Sequence, residues 1–384
     1  MSSDRFLQQL SRCGREAATP LYTAPAVVDP RVEKLAGLLV ERCIDVQPGW
    51  QVVVMGHPAA RPLLEEVCRR VGQRGAYALL RLRIDSPPLR AWMLEVDEAA
   101  LGKLADIEAH EFDHMSTYVV IEAPENTRDG SEIPAERLAL RTKATRPHMM
   151  PIFRGEKPWV GLDFPTPALA QDGGMTLALF EEFYWGAMLV DWEALAVKMR
   201  TIADRFDAAE EVHIVGEGTD LRFSLSGRHG LVDALGANMP GGEVFYSPVE
   251  DSAEGVIAYS EYPACYLSHE VGNVRFRFEG GRIVEASATS DEEFLLGMLD
   301  ADEGARRLGE FGIGCNPGIQ SHMRNTLFDE KIEGTIHLAI GQGFPYLGGS
   351  NESAVHWDMV KELRTGGRIE LDGELVQQDG KWLL

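Results

Sequence analysis

Cysteine is scarce in this chain: Cys13, Cys43, Cys68, Cys265 and Cys315 are scattered along 384 residues with no C-x-x-C pair. Neither a disulfide framework nor a zinc ribbon is written into it, and a reducing cytoplasm is the expected location. Positive charge is also short. The count of 37 Lys+Arg against 60 Asp+Glu leaves a net charge of -23, a field that repels nucleic acid and anionic lipid, so no nucleic-acid partner is expected. Apolar runs such as 51–55 and 118–121 fall far short of the roughly 18 residues that mark a membrane span, and no membrane partner is expected either. Residues 1–30 contain no continuous apolar core of the signal-peptide kind and read as a flexible tail. No G-x-x-x-x-G-K-[ST] is present to cradle a nucleotide phosphate. The nearest approach to a G-x-S-x-G elbow, Gly348-Gly349-Ser350-Asn351-Glu352, fails at its last position, so a serine nucleophile is not expected.

What is present is the composition of a folded protein, 45% apolar and 25% charged, in a length that suggests about two to three domains. From residue 31 the pattern alternates. VEKLAGLLVERCI and RPLLEEVCRRVGQRG have helical spacing, whereas QVVVMGH, AYALLRLRI, STYVVIEA and WVGLDF read as strands, with ERLALRTKATRPHMMPIFRG helical between the last two. Strands separated by helices predict an α/β domain with a mostly parallel sheet over 31–190. The helix DWEALAVKMRTIADRF leads out of it. Thereafter short strands and turns dominate (EVHIVG, DLRFSLSG, EGVIAYS, NVRFRFEGGRIVEAS, TIHLAI, SAVHWDMV, RIELDGELV), predicting a β-rich α+β unit over 191–384. Gly-Gly and Asp-Gly supply hairpin turns there.

The chemistry-bearing residues concentrate in this second half. Side chains alternate faces along a strand, so SAVHWDMV puts His356 and Asp358 on one face and Val355, Trp357 and Met359 on the other. GTIHLAI likewise sets His337 against an apolar back of Ile336, Leu338 and Ile340. Glu243 in NMPGGEVFYSP and Glu310 in RRLGEFGIGCNPG sit in Gly-rich settings where backbone and ligand can approach closely. Three carboxylates and two imidazoles form a donor set suited to Zn²⁺, Co²⁺, Mn²⁺ or Fe²⁺. The competing motif is His110-Glu111-Phe112-Asp113-His114, which matches the H-E-x-x-H of zinc proteases. It lies in a polar stretch just before a strand, without the long, apolar-backed helix that such a site needs, and reads as a solvated junction.

Four segments in order, NMPGGEVFYSPVEDSAEG, RRLGEFGIGCNPGI, EGTIHLAIGQGFP and NESAVHWDMV, resemble the M29 metalloaminopeptidases, the aminopeptidase T family. QPGWQVVVMGHPAARPLLEEV and PWVGLDFPTPALAQDGGM extend the likeness into the first half. The resemblance implies two domains, a homodimer, and a pair of divalent metals (Zn, Co or Mn) that activate water to remove amino-terminal residues from short peptides. It makes Glu243, Glu310, His337, His356 and Asp358 the metal ligands, with Glu310 bridging. Glu243, Glu310 and His356 are the catalytic candidates, His356 or an acid near Glu243 being the proton donor. Phe344 stands where the family has a tyrosine, Tyr346 is the phenol two residues on, and Glu330 or Glu333 approximates a further acidic ligand. A related branch, the dihydroxypyridine ring-cleaving dioxygenases, uses one Fe²⁺ and carries histidine at the position of Glu310. That gives an alternative reading, and a weakly active or non-catalytic binding protein on the same scaffold is a third.

Overall fold

The computed structural model describes residues 29–383 apart from 85–86, 130–131, 154 and 268. The expected tail over 1–30 thus falls almost wholly outside the described residues, as does Cys13; the other four cysteines are free thiols.

The first sheet is built from Tyr77–Leu82, Gln51–Gly56, Thr117–Glu122 and Trp159–Asp163, in that spatial order and all parallel. Val52, Val53 and Val54 are all buried, as a strand covered on both faces requires. The helix Arg61–Gln73 buries Leu63, Leu64, Val67 and Val71, the three- and four-residue spacing of a single apolar stripe. The helix predicted over 32–44 is α-helical over Pro30–Gly37 and widens into π-helical turns over Leu38–Cys43. That change keeps Leu39 and Val40 in the core. A fifth parallel strand, Asn238–Met239, comes from the second half and pairs with Trp159–Asp163.

Helix Trp192–Asp207 buries Trp192, Leu195, Met199, Ile202, Ala203 and Phe206, and Asp191 caps it by accepting from the Ala194 amide. Beyond it lie antiparallel sheets of eight, five and two strands. The eight-stranded one contains the predicted hairpins: Val274–Glu279 turns through Gly280 and Gly281, both at positive φ, into Arg282–Ser287. The fold is therefore α/β with a parallel sheet, followed by a β-rich α+β region.

The five-stranded sheet orders His356–Lys361, Ile336–Gly341, Leu308–Gly314, Glu243–Tyr246 and Leu231–Asp233, every pair antiparallel. Three of these, Leu308–Gly314, Glu243–Tyr246 and Leu231–Asp233, have no counterpart in the predicted strands. Glycines at 309, 312 and 314 weaken the strand signal, and full burial in the middle of the sheet overrides it. One face is apolar: Phe311, Ile313, Leu338, Ile340, Trp357 and Met359 are all buried. Phe311 packs on Phe206 of the helix and on Phe223 of the eight-stranded sheet, at ring distances of 5.7 and 5.0 Å. The opposite face carries the functional side chains.

Candidate metal centre

Cross-strand register brings the five predicted residues onto that second face. Glu310 pairs with Ala339, and Ala339 pairs with Asp358; His337 opposes Gly312, Glu243 opposes Gly314, and His356 opposes Gly341. Directly paired residues share a face, so the row reads as donors interleaved with glycine and alanine. The small residues make the room. A Cβ on Gly312 would lie 1.9 Å from Cε1 of His337, so any side chain at 312 would expel the imidazole.

Two donor groups share Glu310, and a third, Glu330 with His337 and Asp358, links them. Oε1 of Glu310 is 3.4 Å from Nε2 of His337, and its Oε2 is 3.1 Å from Nε2 of His356. Oε2 of Glu243 lies 3.5 Å from Nε2 of His337, and Oδ2 of Asp358 lies 3.6 Å from Nε2 of His356. Glu243, Glu310 and His337 place donor atoms within 4.8 Å of one another, and so do Glu310, His356 and Asp358. Both imidazoles are oriented from behind: Nδ1–H of His337 donates to the Glu330 carbonyl at 3.0 Å, and Nδ1–H of His356 to the Gln342 carbonyl at 2.9 Å. This leaves Nε2 of each facing inward, the arrangement by which outer hydrogen bonds aim a metal-binding histidine.

The electrostatics fit a cation. Burial opposes the charge on Glu310, yet the two imidazoles outweigh it and hold the carboxyl below its usual range. Burial likewise opposes protonation of His337 and His356, but Glu310 raises both and Asp358 adds to His356. Burial pushes Glu243 and Asp358 up. Oε2 of Glu243 and Oδ1 of Asp358 are buried without a hydrogen-bond partner, a costly state for carboxylate oxygens that a divalent ion would relieve.

The two acidic candidates near His337 separate. Glu330 reaches the centre, within donor range of His337 and Asp358, whereas Glu333 turns outward to Lys198 at 2.6 Å. Phe344 lies 5.3 Å from the His356 ring, between Phe245 and Tyr346 at 5.4 Å each. Tyr346 is more than half exposed, and partial desolvation, with Glu310 and Glu243 nearby, pushes its hydroxyl up, so it is a neutral donor. The loop between the two histidines is pinned by Glu250, which accepts from Ser350, and by Asp302, which accepts from Ser353 and Ala354. Sequence reasoning missed Phe245, Asp233 and above all Lys331, which is buried against Glu243. A lysine in LFDEKIEG carries no signal of burial, because lysine is ordinarily exposed.

His110-Glu111-Phe112-Asp113-His114 corrects one expectation and keeps another. These residues close the helix Asp106–His114 rather than forming an irregular junction. No residue of that helix is buried. The two histidine rings stack on each other at 3.8 Å, Nδ1–H of His114 donates to the His110 carbonyl, Glu111 pairs with Arg81, and Asp113 pairs with His148. Among the described residues the groups able to hold a metal all lie at the five-stranded sheet, with Glu330 reaching in from the end of the short helix Thr326–Asp329.

A buried carboxylate-imidazole cage on one sheet face is a donor set for divalent metal. The family model described as thermophilic metalloprotease (M29) matches residues 28–382. The chain belongs to this M29 metalloprotease family and is a hydrolase. Aminopeptidase T of Thermus aquaticus is 27% identical over 92% of this chain and 98% of that protein. Aminopeptidase AmpS of Bacillus subtilis is 34% identical over 44% of this chain, a match spanning about half (48%) of that relative's length. Among solved structures, wild-type AmpT from Thermus thermophilus shares the fold with a TM-score of 0.80, at 23% identity over 93% of this chain and all of that one. The 2,5-dihydroxypyridine dioxygenase of Pseudomonas putida KT2440 shares it more distantly, with a TM-score of 0.60 and 14% identity over 93% of this chain and 98% of that one. The family match favours hydrolysis over the oxygenase alternative. Divalent metal follows from the family; no helix among the described residues is long and apolar enough to cross a membrane.

Proposed function

We propose that this chain is an aminopeptidase that removes the amino-terminal residue of short peptides, with Glu243, Glu310, His337, His356 and Asp358 holding two divalent ions. The observation that carries the reading is the placement of Glu310, which turns one oxygen toward each imidazole, as a carboxylate shared between two ions would. The names of the relatives supply the reaction. When bound, such ions polarise a carbonyl and lower the pKa of a coordinated water toward 7.

The chain's own residues do the rest. Gln342 and Glu330 carbonyls fix the imidazoles, Phe245 and Phe344 wall one side of the centre against water, and Tyr346 offers a neutral hydroxyl at its rim. Glu243, Glu310 and His356 are the catalytic candidates. His356, 31% exposed at its side chain against 0% for His337, is the imidazole that substrate can reach, and we assign it or an acid near Glu243 as proton donor. We further propose that residues 31–190 and 191–384 act as two units in a cytoplasmic homodimer, the first covering the approach to the centre.

The test joins elemental analysis of gently purified protein to an assay of leucine-type aminoacyl substrates after Zn²⁺, Co²⁺ or Mn²⁺ addition. Two ions per chain with amine release is the expected result. One iron per chain, with oxygen uptake on a dihydroxylated ring and no peptide cleavage, would overturn it.

A further inference from the structure

Lys331 has no solvent access at all. Its Nζ lies 3.2 Å from Oε1 of Glu243 and contacts Oε1 of Glu330. Asp233, paired with Glu243 across the neighbouring strand, is a third buried carboxylate on this sheet face. Glu310 and Asp358 complete a set of five acidic side chains converging on one small volume, where like charges drive one another apart unless a cation is present. A fully buried lysine is rare, and it is retained only where its charge is paired.

We propose that Lys331 is a built-in counter-charge of the metal centre. Its ammonium holds Glu243 and Glu330 in place when metal is absent, and it occupies Oε1 of Glu243 so that Oε2 alone is left for an ion. Oε2 is the atom that faces His337 and has no hydrogen-bond partner. Lys331 is thus a positioning residue, acting through Glu243. The inference rests on reading Glu243 as a metal ligand, and the two are separable: Glu243→Gln with undiminished metal content refutes the ligand assignment whatever the lysine variants do.

The counter-charge itself is tested by thermal unfolding of Lys331→Met, metal-free and saturated with Mn²⁺. The metal-free variant should unfold roughly 5–10 °C below metal-free wild type, and Mn²⁺ should raise its melting temperature by more than it raises the wild type's. The double substitution Lys331→Met with Glu330→Gln, which removes one charge of each sign, should recover about half of the loss. If Lys331→Met folds only with Mn²⁺, then unfolding on chelation that the double variant withstands is the same result. Equal metal-free melting temperatures, or a loss that neither Mn²⁺ nor the second substitution reduces, would overturn the proposal.

Discussion

Histidines and carboxylates gather at two places in this chain, and they differ in almost everything except composition. On the helix Asp106–His114 they are contiguous, match a known motif and stand exposed, each donor bound to a neighbour of its own: His110 against His114, Glu111 with Arg81, Asp113 with His148. On the five-stranded sheet the donors are dispersed over more than a hundred residues, yet they converge, with buried oxygens left unbonded and both imidazoles braced from behind. Water and ion pairs satisfy the first set cheaply, whereas the fold holds the second where only a cation can satisfy it. Letter patterns specify donor identity; burial and outer hydrogen bonds specify whether the donors are available.

This contrast can be broken from either side. The largest effect is expected at the shared carboxylate. Glu310→Gln should lower kcat/KM on an aminoacyl amide by on the order of 10³-fold or more with a small change in unfolding temperature, since it removes charge from both donor groups but little volume. Turnover near wild type in the purified variant would move the centre elsewhere. Next comes the clearance for His337. Gly312→Ala adds a single methyl group, and the displaced imidazole should cost about 10²-fold in activity, accompanied by reduced metal content in elemental analysis. Unchanged metal content would show that the imidazole is not held there.

A third test isolates burial from metal chemistry. Asp163 ends a strand of the first sheet, and burial pushes its carboxyl up to about 6 despite the amide that Asn325 donates at 2.6 Å. Because its folded pKa is raised above the unfolded value of 3.8, ionising it costs stability that is absent below pH 3.8 and grows as pH rises through about 6. Asp163→Asn should therefore be more stabilising at pH 7 than at pH 4, by on the order of 1–2 kcal/mol in denaturant titrations. An equal effect at both pH values would remove the desolvation argument. The smallest effect belongs to the exposed helix: His110→Ala with His114→Ala should leave metal content and kcat/KM within about twofold of wild type. A lost equivalent of metal would make that motif a site after all.

Much of the centre was legible because strand alternation is local. His356 and Asp358 share a face by their spacing alone, and Ile336, Leu338 and Ile340 mark the back of the strand that presents His337. Glu243 and Glu310 were legible only as acids among glycines and through family likeness, since Leu308–Gly314 looks too glycine-rich to be a strand and Glu243–Tyr246 is only four residues long, directly after Gly241-Gly242. The strand Leu308–Gly314 was missed for a physical reason: glycines at 309, 312 and 314 weaken strand propensity, and yet at 312 one is needed because the His337 ring fills the space of its side chain. Lys331 left no trace in the sequence, for nothing local distinguishes a buried lysine from an exposed one.

By itself, then, the sequence determined the alternation of helix and strand in the first half, the run of hairpins in the second and the face of each histidine, all properties of spacing within about ten residues. Tertiary structure decided what depends on register between distant strands: that Glu310 stands between the two imidazoles, that Glu330 turns inward while Glu333 turns out to Lys198, that Asn238–Met239 crosses into the parallel sheet, and that the ammonium of Lys331 lies beneath Glu243. Pairing register is set by the packing of whole faces, a sum over many side chains that no short segment contains.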